Sequence, residues 1–99
     1  MEPIPFEIGR VVTSRQGRDR LRHFVVTELP EPGYVLMADG RTRKLDHPKK
    51  KKTMHLKPRP ARMEAYETLK AQRMLKDSDI RTFLEQAGFG PDSPCAKED

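Results

Sequence analysis

Twelve side chains carry most of the chemistry this sequence offers, and all are cationic or can become so. They fall in three segments: Arg15, Arg18, Arg20 and Arg22; then Arg41, Arg43 and Lys44; then Lys49, Lys50, Lys51, Lys52 and His55. Guanidinium groups fork onto phosphate oxygens or stack on unpaired bases, whereas lysine ammonium groups act as flexible point charges. An imidazole can contact phosphate or stack on a base. A charge run by itself is more often only a solvated face, and Asp19 stands among the arginines as a local partner. The last two segments together make a second basic stretch beside the arginine one, and two such stretches flanking one small folded unit favour a nucleic acid over that plain reading.

Other chemistries find little support. There is no Gly-rich phosphate loop and no nucleophile in a recognisable turn, and the carboxylates are scattered among arginines, so a non-catalytic protein is expected. His23, His47, His55 and Cys95 lie 24, 8 and 40 residues apart, which matches no short zinc-ligand spacing, and no metal or cofactor is expected.

The chain has 99 residues, of which 34% are hydrophobic and 35% charged, so it holds one domain with a small core. The net charge of +5 is uneven: residues 1 to 60 carry 14 Lys or Arg against 7 Asp or Glu, and residues 61 to 99 carry 6 against 8. A polyanion partner for the first part follows. The basic residues lie among strand and turn signals instead of on a Leu-rich amphipathic helix, so no membrane partner is expected. One cysteine, no secretory leader and no run of transmembrane length make the cytoplasm the expected location.

Five short strands would position these groups. Ile8 to Ser14 and His23 to Leu29 are the first two, with the arginine loop between them. Phe24, Val25 and Val26 form an apolar run suited to burial on both sides. Pro32-Gly33 turns the chain into a third strand, Tyr34 to Ala38, in which Tyr34, Leu36 and Ala38 share one face and Val35 and Met37 the other. Asp39-Gly40 predicts a hairpin to a fourth strand, Arg41 to Leu45. Pro48 and the lysines read as a loop, followed by a fifth strand, Met54 to Lys57, ended by Pro58 and Pro60. Beyond Pro60, Ala61 to Lys76 favours a helix with a weak apolar stripe. A second helix capped by Asp77 or Ser78 carries Ile80, Phe83, Leu84 and Ala87 on one face and ends at Gly88. The expected organisation is therefore a small β-barrel at 7–58, a helical extension at 61–88 and a disordered tail at 89–99.

The runs Ile8-Gly9-Arg10-Val11-Val12, Gly17-Arg18-Asp19, Phe24-Val25-Val26, Tyr34-Val35-Leu36, Ala38-Asp39-Gly40-Arg41, Arg43-Lys44-Leu45, Pro48-Lys49-Lys50-Lys51 and His55-Leu56 resemble the short bacterial KOW-domain RNA-binding proteins. Those are similar in turn to the fourteenth e-type large-subunit ribosomal protein of archaea and eukaryotes. The resemblance covers about residues 7 to 58. It implies a mainly β fold, a five-stranded Src-homology-3-like barrel, with binding to structured RNA and an association with the ribosome. The KOW glycine between the first two strands aligns with Leu21, where glycine would permit a positive φ. The expected function is RNA binding, of ribosomal RNA above all, through the twelve basic residues, with a protein partner for residues 61–88. A transcription-associated KOW factor and a protein-interaction adaptor are the alternatives; six aromatic residues without tryptophan argue against an adaptor groove.

Overall fold

The computed structural model describes residues 3–18 and 20–90. Its five strands are β1 (Arg10–Ser14), β2 (His23–Glu28), β3 (Tyr34–Ala38), β4 (Lys49–Lys52) and β5 (Leu56–Arg62), followed by helices α1 (Tyr66–Ala71) and α2 (Asp77–Gln86). A single 3-10 turn, Thr53–His55, links β4 to β5. All pairings are antiparallel and build one sheet in the order β4-β3-β2-β1-β5.

The sheet is covered on both sides, which is why Phe24, Val25 and Val26 are all fully buried. One face packs Val12, Phe24, Val26, Val35, Met37 and Leu56 together. The other packs Val11 and Val25 against Met63, Tyr66, Ile80 and Leu84. Side chains alternate along a strand, so each face draws on every second residue of the same apolar runs. The helices therefore share a core with the sheet. Burial pushes the Tyr66 hydroxyl up to about 12, with the Glu28 carboxylate adding to the effect.

Several elements differ from the sequence expectation. The first strand begins at Arg10 because Gly9 adopts φ +90 and the β1–β5 register shifts between Arg10 and Val12. Residues 41 to 45 form no strand. The Asp39 carboxylate accepts hydrogen bonds from the backbone N–H of Arg41 and of Arg43, each at 2.9 Å, and from the Thr42 hydroxyl at 3.0 Å. Asp39-Gly40 thus makes a compact side-chain-capped turn, and the expected hairpin partner is replaced by the lysine run, which is β4 and not a loop. Four lysines suit that place, since β4 pairs only with β3 and like charges on an edge strand discourage pairing with another chain.

β5 runs through Pro58 and Pro60 to Arg62, so the division expected at residues 58 to 60 falls inside a strand. The prolines are tolerated because β5 is the other edge, and their two-residue spacing puts both missing N–H groups on one side. The first helix shrinks to Tyr66–Ala71. Its start is delayed while the Met63 N–H donates to Gly9 O at 2.7 Å, and it ends in a Schellman turn with Arg73 at φ +58.

The second helix matches the expected span, and Gly88 at φ +89 closes it, with the Phe89 N–H donating to Leu84 O at 2.7 Å. Its N-cap position is Lys76, whose N–H donates to the Asp79 carboxylate at 2.9 Å, whereas Asp77 turns outward to accept from the Leu45 N–H at 2.8 Å. Phe89 packs on the second core cluster, so the expected disorder does not begin at 89. The remainder of that tail, 91–99, lies outside the described residues.

Gly40 is needed for close approach as much as for its φ of +76, because a Cβ there would stand 2.5 Å from Asp77 O. Gly40→Ala is expected to destabilise the protein by at least about 1 kcal/mol, the cost of a left-handed alanine before α2 is displaced, as read from urea unfolding. Stability should also fall as pH rises from about 10 to about 12, because the unfolded Tyr66 loses its proton first and the folded one resists. Tyr66→Phe should remove that component of the alkaline loss.

Candidate nucleic-acid interface

The arginine loop leaves the sheet at Ser14 and returns at His23. Its neck is closed by backbone hydrogen bonds from Ser14 N–H to Arg22 O at 2.9 Å and from Leu21 N–H to Ser14 O at 2.7 Å. Arg15, Arg18, Arg20 and Arg22 are all exposed on it. The return requires a left-handed residue, and Leu21 supplies it at φ +70, the conformation glycine would adopt without strain.

The loop and the lysine strand are stitched together. The Lys51 ammonium donates to Ser14 Oγ at 2.9 Å and to Gln16 O at 2.7 Å, and the Arg15 N–H donates to His55 O at 2.8 Å. Residues separated by more than thirty positions in sequence thereby form one basic surface. The β4 register pairs Lys51 with Val35 and Lys49 with Met37, so these half-buried lysines lay their stems along the edge of the Val35 and Met37 core face. Lys50 and Lys52 take the opposite face, beside Leu36 and Tyr34.

Lys50 is engaged: it pairs with Glu31 at 2.7 Å and lies 4.8 Å from the centre of the Tyr34 ring. The hydrogen bond that Lys50 donates to the Glu31 carboxylate raises its pKa above the ordinary lysine value. Lys52 is exposed. His55 is half-buried, and its Nδ1 is buried with no hydrogen-bond partner among the described residues.

The middle segment stands elsewhere, on the loop between β3 and β4. Arg43 and Lys44 are exposed there, and Arg41 forms an ion pair with Glu85 of α2. Arg41 nonetheless meets the end of the arginine loop, because it lines a cleft together with Leu21 and Arg22.

Three basic residues that sequence reasoning passed over matter to the fold. Arg10 is nearly buried and donates to Pro5 O, Arg59 O and Pro60 O at 3.1, 3.3 and 2.9 Å. Arg59 is 7% exposed and donates to Thr13 Oγ1 at 2.8 Å, and that oxygen lies 2.8 Å from His23 Nδ1. Arg81 donates to Gly40 O at 2.7 Å. Arg81 was findable, since Asp77, Arg81 and Glu85 recur every four residues as a polar stripe next to Ile80 and Leu84. Nothing in the local pattern marks Arg10 or Arg59 as interior.

Among the described residues no group of three or more His, Cys, Asp or Glu could hold a metal ion, and no helix is long and apolar enough to cross a membrane. No protein-family model matches the chain, and no curated protein matches it as a relative.

Leu21 is 44% exposed, so little burial is lost on its removal. Leu21→Gly is expected to leave the loop path unchanged and raise stability by up to about 1 kcal/mol through relief of the left-handed backbone, offset in part by the freer unfolded chain. Thermal unfolding checks this; a lowered midpoint would mean the leucine side chain anchors the loop.

Proposed function

We propose that this protein is a non-catalytic RNA-binding module of the KOW type, its sheet curled as a small Src-homology-3-like barrel, and that it works on the ribosome by contacting ribosomal RNA. The observation that carries the reading is the join between the arginine loop and the β4 edge. Lys51 spans it through Ser14 Oγ and Gln16 O, and around it Arg15, Arg18, Arg20, Arg22 and Lys52 remain exposed. A phosphate backbone needs cations at fixed separation along a surface, and the sheet supplies that spacing. Arg10 and Arg59 are spent on interior carbonyl and hydroxyl oxygens and take no part.

The roles of the lysines divide in this reading. Lys52 contacts phosphate directly. Lys51 holds the arginine loop in place, and Lys50 gives up Glu31 only where a phosphate replaces it. The helical second part, residues 61–88, in which five Lys or Arg balance five Asp or Glu, faces a protein partner, and the site of action is the cytoplasm.

Replacing Arg15, Arg18 and Lys52 by Gln together should flatten the slope of log affinity against log salt by roughly two units, at about 0.7 to 0.9 per phosphate contact. All three side chains are exposed, so the fold should persist. Fluorescence anisotropy on a fragment of ribosomal RNA over a salt series measures this, and an unchanged slope would remove these residues from the interface.

A further inference from the structure

Between the return of the arginine loop, the Asp39 turn and the end of α2 lies a cleft of about 310 Å³. Its walls differ in kind. Leu21, Leu84 and Phe89 make an apolar side, and the His23 ring meets Phe89 edge-on at 4.9 Å and 68° to form an aromatic corner. Arg22, Arg41 and Arg81 make the other side.

The charge balance inside is one-sided. The carboxylate on the lining, Asp39, is already occupied by three donors, the N–H groups of Arg41 and Arg43 and the Thr42 hydroxyl. Arg81 spends one Nη on Gly40 O and Arg41 one Nη on Glu85, while a guanidinium carries five N–H donors. The cleft therefore joins an apolar, aromatic corner to a cluster of guanidinium donors, at a volume on the lower edge of small-ligand sites, roughly 300 Å³. Aromatic faces and guanidinium planes are the groups on which unpaired bases stack, and forked N–H donors suit phosphate.

We propose that this cleft holds one unpaired nucleotide of the bound RNA, its base against Phe89, His23 and Leu21 and its phosphate toward Arg22 and Arg41. The inference rests on the RNA-binding reading and adds selectivity to it. The basic surface from Arg15 to Lys52 serves any phosphate backbone, whereas the cleft admits only a base that is free of its partner strand.

The test uses the full chain with a 12-nucleotide single-stranded RNA, a blunt RNA duplex of the same sequence, and 5′-AMP. Amide resonances of Leu21, Thr42 and Gly90 should shift with the single strand, and with 5′-AMP at higher concentration, but not with the duplex. Phe89→Ala should lower the preference for single strand over duplex by at least about fivefold, the low end of a lost base stack. Because Phe89 also packs on the core, Leu21→Gly is the companion variant, expected to fold at least as well and to lower the same preference. Shifts with both RNAs confined to residues 15–18 and 49–55, with the preference unchanged in both variants, would overturn the nucleotide cleft while leaving the RNA-binding surface standing. Response to 5′-AMP alone would make the cleft a free-nucleotide site and overturn its role in RNA. Failure to bind either RNA would sink both readings.

Discussion

Asp77, Arg81 and Glu85 stand one turn apart on α2, and each holds a different point of the loop that follows β3. Asp77 accepts the Leu45 N–H and stacks its own carbonyl against Gly40, Arg81 donates to Gly40 O, and Glu85 pairs with Arg41. The same helix turns Ile80 and Leu84 onto Val11 and Val25, so one element closes the second face of the sheet and fixes the Asp39 turn together. The cleft exists because of that docking. Its floor is α2, and its rim is the loop that α2 holds.

The charges on the surface follow from the same economy. A sheet with two open edges and few apolar residues must protect those edges with what the sequence has, and it uses prolines on β5 and lysines on β4. The lysines thereby lie within reach of the arginine loop, and Lys51 binds the two. Protection of an edge and assembly of a basic surface are satisfied by one strand, in which alternate side chains have different work.

How much of this the sequence carries depends on how local each cause is. Strands β2 and β3 and helix α2 are legible because alternation, the apolar i, i+3, i+4, i+7 pattern and Gly88 each specify structure within a few residues. The run Phe24 to Val26 even announces burial on both faces. Asp39-Gly40 was misleading for a physical reason: the dipeptide specifies a tight turn with a positive φ, and whether a strand follows depends on α2, nearly forty residues later. Lysine has low strand propensity, so β4 is dictated by pairing with β3 and not by its own residues. Of the candidate site, the exposed arginines were legible as a cluster. Their join to Lys51, the cleft, and the interior roles of Arg10 and Arg59 are tertiary facts with no local signature.

In the proposed function, RNA meets this protein along the join between the arginine loop and β4. Ultraviolet cross-linking in cells, with sequencing of the attached RNA and mass spectrometry of the attached peptides, tests it most directly. Ribosomal RNA is expected as the dominant cross-linked species, with adducts on peptides covering Arg15 to His23 and Lys49 to His55. Adducts confined to α1 and α2, or no RNA above background, would contradict it.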